Sequence, residues 1–342
     1  MCNIAGYVGS RPAAPILLEM LRRQEGLNAG YYSGLATLCE GQIHSAKVVG
    51  PHRTLVETTN AASLPGTMGI VHGRTPGVDG EEWAHPYLGR WEGKIRSAYL
   101  LNGYSGCYPR PIPDEIVDEL TEQGFCLKSR TTYNPEGDIT LRDGSRINMT
   151  DVLCQLALRE LLKGESPRCA MENTYRALPK EMVCLMISDF APDRIAFSRF
   201  NMPLYLAFAP HGVYVASCPI AFPEDAGEPL PIPACSAGEI FADHYEIYPM
   251  KDLPCSVAPI TARVRKEGYD LICSALRTAP ITVKALAAAV KPLFDKADAV
   301  QAAMLIYDVL YTLHKQGSLK WDEVSLPGVT PDLTAPEWRL YL

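Results

Sequence analysis

Cys2-Asn3-Ile4-Ala5-Gly6-Tyr7-Val8-Gly9 follows directly on Met1 and decides how the rest of the chain is read. The stretch is apolar and punctuated by Gly6 and Gly9, which marks a buried first strand that other backbone approaches closely. Cysteine is small, so aminopeptidase trimming of Met1 is its expected fate. Cys2 would then carry a free α-amine beside its thiol. A free thiol titrates at ~8.5 and an α-amine at ~7.7–8.0, so the neutral amine can take the thiol proton directly or through water. One residue then supplies both nucleophile and base. Taken alone, Cys2 also suits an ordinary buried thiol at a strand start, and three further stretches bear on the choice.

The chain after this strand predicts a helix carrying Ile16, Leu17, Met20 and Leu21 at core spacing. Gly26 to Gly34 reads as a loop that leads into a strand over Leu35–Leu38. Glu40-Gly41 is a hairpin turn into a strand over Gln42–Val49. Gly69-Ile70-Val71-His72-Gly73-Arg74-Thr75 is a short apolar strand ending in a polar loop that runs to Trp83-Ala84-His85-Pro86. Tyr99-Leu100-Leu101-Asn102-Gly103 repeats the design. An Asn-Gly pair read alone is most often a turn.

Residues 113–125 read as a helix, and 128–147 as a polar inserted hairpin or loop. Asn148 caps a helix through Leu162. Strands follow at Met182–Ser188, Arg194–Ser198, Leu204–Phe208, Gly212–Ser217 and Gly238–Tyr248. The order is strand-rich, then helical, then strand-rich, which fits sheets with helices outside them.

Composition shifts near Pro254. Three helices are expected at about 260–277, 282–291 and 297–316, then a short strand near Ser318–Trp321 and a Pro-rich tail. That pattern resembles a winged helix-turn-helix domain. A DNA reader wants basic residues on its last helix, but Ala297–Tyr311 has none before Lys315. Residues 251–342 hold 11 basic and 10 acidic residues. Protein contact is therefore favoured over DNA.

The 342 residues suffice for two domains, and a 47% hydrophobic content supports a full core. A net charge of −7 invites neither nucleic acid nor an anionic membrane. No run of ~18 apolar residues predicts a membrane span, and no signal peptide is expected. The eleven cysteines include no CxxC pair and no zinc spacing, so reduced thiols, a cytoplasmic setting and no metal or cofactor are expected.

Cys2 with Gly6, the His72-Gly73-Arg74-Thr75 loop with Ala84-His85-Pro86, Asn102-Gly103 after an apolar strand, and the segment Gln24–Ala36 together resemble the class II glutamine amidotransferases. These are glutaminase domains of the N-terminal nucleophile hydrolases, and the glutaminase domain of glucosamine-6-phosphate synthase is the nearest echo. The resemblance covers residues 2 to about 250. It implies an α+β fold, a four-layer αββα sandwich over 2–250, followed by the small helical, winged-helix-like domain over 255–342.

The resemblance also implies the chemistry: hydrolysis of the glutamine side-chain amide through a thioester on Cys2, releasing ammonia. It assigns the oxyanion hole to the Asn102 amide and the Gly103 N–H. Arg74, with Thr75 beside it, takes the substrate carboxylate in bidentate geometry. His72 and His85 are expected to shape the loop, since the α-amine fills the base role.

Two departures stand out. Thr75-Pro76-Gly77-Val78-Asp79-Gly80 replaces the family's Trp and Thr-His-Gly. Met149 takes the place of the Asp that binds the substrate α-amine, leaving Asp151, Asp143 and Asp138 as candidates. The expected partners are glutamine or a related amide and a separate synthase subunit that accepts ammonia, with room for a homo-oligomer. Two alternatives differ from this reading: an amidase for another γ-glutamyl or acyl amide, and a degenerate regulatory protein without catalysis.

Overall fold

The structure is a computed structural model describing residues 2–77, 80–104, 114–131, 141–253, 256–296 and 298–342. Two antiparallel sheets carry the molecule. The first is built from β1 (Asn3–Gly9), β2 (Tyr32–Cys39), β3 (Gln42–Val49), β4 (Met68–Arg74), β9 (Tyr205–Ala209), β10 (Gly212–Ala216) and β11 (Leu230–Pro231). The second contains β5 (Tyr87–Trp91), β6 (Lys94–Tyr104), β7 (Glu181–Ser188), β8 (Ala191–Arg199), β12 (Ser236–Ile240) and β13 (Tyr245–Pro249). The first sheet runs β11-β9-β10-β1-β4-β2-β3 and the second β13-β12-β8-β7-β6-β5. β1 is thus an inner strand, paired on both sides.

Side-chain alternation explains the layering. Ile4 and Val8 of β1, with Ile70 of β4, face Leu100, Val183, Leu185 and Phe197 of the second sheet in one dry core. Ala5 and Tyr7 face the other way, onto α1 (Ala13–Arg22) through Leu17 and Leu21. Outside the second sheet lie α4 (Asp114–Glu122), α5 (Met149–Leu162) and α6 (Pro167–Ala177), packed through Val117, Leu156, Met171 and Tyr175. The result is helix, sheet, sheet, helix, as the resemblance implied for this part. α2 (Glu25–Asn28) and α3 (His52–Thr58) flank the first sheet.

Several sequence expectations are corrected. Asn102-Gly103 is not a turn: both residues continue β6, opposite Val183 and Met182. Residues 238–248 form two strands, β12 and β13, instead of one. The expected loop over Gly26–Gly34 contains α2, and its strand begins at Tyr32. The helix α6 was not foreseen. Of the polar segment 128–147, residues 132–140, including Asp138, lie outside the described residues, while Thr131 bridges Arg146. The Glu40-Gly41 hairpin stands, with both residues at positive φ (50° and 74°), the turn whose twist matches its strands.

After residue 255 come α7 (Ala262–Thr278), α8 (Val283–Val290), α9 (Ala302–Lys315) and a hairpin of β14 (Lys320–Pro327) and β15 (Thr334–Tyr341). The tail expected after one short strand is therefore a second strand. Pro254 and Cys255, where composition shifts, lie outside the described residues. The three helices share a core with Leu27, Cys218 and Ile220 of the sheet region. Tyr205 donates to Asp308 of α9 at 2.7 Å, and Arg199 reaches Met304. α9 is buried along most of its length, from Ala302 to Leu313.

Candidate active site

The β1–β4 register sets Asn3 opposite Gly73 and Ile4 opposite His72. Cys2 therefore enters the sheet beside the end of β4, where the chain turns into the Arg74-Thr75 loop. Its Sγ lies 3.6 Å from Thr75 Oγ1. Asn3 points to the opposite face, where its Nδ2 donates to the Gln24 carbonyl at 2.5 Å and fixes the strand entry. Burial alone would push the Cys2 thiol up. The adjacent His72 imidazole outweighs it, by hydrogen bonding and by charge, with help from the amino terminus and Arg74, and the thiol falls to about 6. These neighbours favour the thiolate form of Cys2.

On the second sheet β6 brings Asn102 to the same end. It shares the inner face with Leu100, is 1% exposed, and among the described residues neither its Oδ1 nor its Nδ2 has a hydrogen-bond partner. A buried amide left unpaired costs about 1–3 kcal/mol, so a bound group is its natural complement. Gly103 follows on the strand, with its side chain absent and its surface open.

Arg74 is held by aromatic faces. Its guanidinium lies 5.2 Å from the Tyr32 ring and 5.4 Å from the Trp83 ring, and Nη1 donates to the Trp83 carbonyl at 3.1 Å. Among the described residues it has no carboxylate partner. Trp83 has a second cation, Arg146, 5.6 Å from its ring. His72 and His85 stack at 4.0 Å, and His85 Nε2 meets Thr150 Oγ1 at 3.0 Å. Burial, with the charges of His72, Arg74 and Lys47, keeps His85 neutral. Gly34 makes the stack possible: a Cβ there would sit 2.2 Å from the His85 carbonyl.

Asp151 is brought near this cluster but is already engaged. Its Oδ2 accepts from Ser129 N and Oγ, both at 2.8 Å, and its Oδ1 accepts from Gln155. It clamps the 129 turn onto α5. Asp143 lies on the surface, bonded to Arg130 and Ser145. The structure therefore brings Cys2, Thr75, Arg74 and Asn102 to one end of the sandwich. Sequence reasoning missed the framing of Arg74 by Tyr32 and Trp83. The aromatic types were visible, but the spacing of 32, 74 and 83 carries no signal without the fold. Among the described residues no group of His, Cys, Asp and Glu could hold a metal ion, and no helix is long and apolar enough to cross a membrane.

The fold is a two-sheet antiparallel sandwich with helices outside each sheet. Glutamine phosphoribosylpyrophosphate amidotransferase from B. subtilis shares the fold at a TM-score of 0.58 and 14% identity, over 90% of this chain and 64% of that one. Among curated proteins, the glutamine–fructose-6-phosphate aminotransferase (isomerizing) of Bartonella henselae is 29% identical over 224 residues, 65% of this chain and 32% of its own length. The same enzyme of Shewanella oneidensis is 30% identical, with the same coverage. The chain thus spans about a third of the length of the curated relatives it matches. No protein-family model matches the chain. The resemblance to class II glutamine amidotransferases is shown by these likenesses, and the relatives are enzymes.

Proposed function

We propose that this protein hydrolyses the side-chain amide of glutamine through a γ-glutamyl thioester on Cys2 and releases ammonia for transfer to an acceptor. The observation that carries the reading is the buried Asn102 amide, without a hydrogen-bond partner among the described residues, on the inner face at the Cys2 end of the sandwich. A tetrahedral oxyanion formed at Sγ needs such a donor, and Asn102 Nδ2 with the Gly103 N–H supplies it. Arg74 takes the substrate α-carboxylate, and Thr75 steadies the sulfur. We assign residues 2–250 to the amidotransferase domain and 255–342 to an accessory domain of winged-helix type. Its order of helix, bridge, two helices and hairpin supports that type, through the Ile281–Leu340 bridge. Its job would be to dock a separate synthase subunit in the cytoplasm. The nine described cysteines are all free thiols, in keeping with that compartment.

One observation favours a second reading, an amidase for an N-blocked or γ-linked glutamine derivative. Met149 stands where an acid would hold the substrate ammonium, and both oxygens of Asp151 are occupied. The test is the intact mass of the purified protein before and after a glutamine-analogue diazo-ketone. Loss of Met1 and one adduct on Cys2 that glutamine blocks is the expected result. An adduct blocked only by N-acyl or γ-glutamyl compounds would select the amidase, and no adduct would select the non-catalytic regulator.

A further inference from the structure

A cavity of about 400 Å³ opens outside the second sheet, between α6 and the end of β13. Small-molecule sites run roughly 300–1,000 Å³, so it is sized for a small organic molecule and not for a lone ion. None of its lining residues belongs to the Cys2 cluster, and the amide chemistry makes no use of it.

Its walls are cationic and ordered. Arg168, Glu172 and Arg176 follow at four-residue intervals, in one column along α6. The buried Glu172 carboxylate accepts from Arg168 Nη1 at 3.1 Å and from Arg176 Nη2 at 2.6 Å. It accepts a third time, from the backbone N–H of Lys251 at 3.2 Å. One acid thus orders two guanidiniums and draws the chain just past β13 against the helix. The Tyr248 ring lies 4.8 Å from the Arg168 guanidinium and steadies it. Arg168 Nη2 also donates to Cys169 Sγ, and Arg176 Nη1 to Asn173 Oδ1. A guanidinium has five N–H donors, and these bonds occupy a minority of them on each arginine.

The charge of the lining narrows the ligand. Arg168, Arg176 and Lys251 face one buried acid, Glu172, which balances one of the three cations. Among the described residues the Lys251 ammonium has no carboxylate partner. The remaining acid, Glu165, is exposed and its carboxylate has no partner among the described residues, so it is placed to accept from hydroxyl groups.

We propose that this cavity binds a phosphomonoester with a small hydroxylated body, a sugar phosphate or a mononucleotide. A phosphomonoester carries about −1.5 to −2 charges at neutral pH and three acceptor oxygens, which matches the two cations that Glu172 leaves unbalanced. Arg168 and Arg176 take the phosphate through their spare donors, and Lys251 closes on it as a point charge. Glu165 receives the hydroxyls of the body. Lys251 lies on the stretch between β13 and α7, so the bound ester braces the exit from the sheets toward the accessory helices.

The test is isothermal titration calorimetry of the full chain, without glutamine. The probes are inorganic phosphate, glucose 6-phosphate and AMP, with glucose and adenosine as unphosphorylated controls. At least one ester should bind ~10-fold or more tightly than phosphate and than its own control. Binding of glucose 6-phosphate alone makes the ligand a sugar phosphate, and binding of AMP alone makes it a nucleotide. Phosphate binding as tightly as both esters, or no binding of either ester, overturns the proposal.

Two further readouts locate the ligand. Lys251→Gln disturbs none of the recorded ion pairs and should weaken the ester by ~10-fold, and Arg176→Gln by roughly 10–100-fold. Saturating ester should slow the alkylation of Cys169 by N-ethylmaleimide several-fold, read by peptide mass. An affinity that both substitutions leave unmoved, or a Cys169 rate that the ester does not change, places the ligand elsewhere and refutes the site. No arm of this test uses Cys2 or glutamine, so failure of the glutaminase reading leaves its outcome untouched.

Discussion

Gly26 in α2 and Trp338 in β15 stand in direct contact: a Cβ on Gly26 would fall 2.1 Å from the indole ring. The C-terminal hairpin thus rests on the segment whose Gln24 carbonyl anchors Asn3, one residue from Cys2. Gly26→Ala should force the indole away and cost about 1–3 kcal/mol, seen as a lower urea midpoint and a red-shifted tryptophan emission. Trp338→Leu in the same chain should recover part of that loss, and a double-mutant cycle with no coupling between the two would refute the contact.

Glu25, next to Gly26, is buried, and its carboxyl is raised to about 7 by that burial and by Glu323, against one hydrogen bond from His52 N. The unfolded chain releases this proton near 4.5, so stability present below that pH is lost as pH rises to about 7 and then stays level. Glu25→Gln keeps the acceptor for His52 N and removes the charge. It should match the wild type at pH 4.5 and exceed it at pH 8 by up to about 3 kcal/mol in urea unfolding. Equal stability at both values would show that Glu25 is not held protonated.

Asn102→Ala should lower kcat for glutamine hydrolysis by ~10²–10³ with KM little changed. Its side chain makes no hydrogen bond among the described residues, so the loss of fold stability should stay within about 1 kcal/mol. Steady-state kinetics beside a thermal melt distinguish the two effects. A large drop in melting temperature with kcat intact would place Asn102 in the scaffold.

Arg74→Lys keeps the charge and loses the fork framed by Tyr32 and Trp83. The expected outcome is a rise in KM of roughly 10–100-fold, with a smaller change in kcat. Alkylation of Cys2 by iodoacetamide, which has no carboxylate to recognise, should change far less. A KM left unaltered would remove Arg74 from substrate binding.

The legible parts were those encoded locally. β1, β3, α1, α5 and the Glu40-Gly41 turn could be read from period and turn chemistry, because burial on one face or both imposes the pattern. Cys2, Arg74 and Asn102 were singled out because residue types at strand ends repeat a known order. Register was not legible. Nothing in the spacing of 72 and 101 tells that His72 meets the Leu101 carbonyl, since that bond joins two sheets. Asp151 illustrates the opposite failure: the residue type suited an ammonium, but Ser129, twenty-two positions earlier, claims it. The second strand of the C-terminal hairpin was hidden by Pro336, an edge-tolerated residue that reads as loop.

Ile4, the residue beside which the site is built, donates its backbone N–H to Ser217, 213 positions away. β1 therefore gains its second neighbour only when β10 emerges from synthesis, on the order of ten to forty seconds later at typical elongation rates. Until then β1 offers Ile4, Tyr7 and Val8 along an unpaired edge, the kind of surface that chaperones cover and that aggregates when they do not. A nascent or truncated chain ending before residue 212 would hold β1 against β4 alone, with its β10 side unpaired.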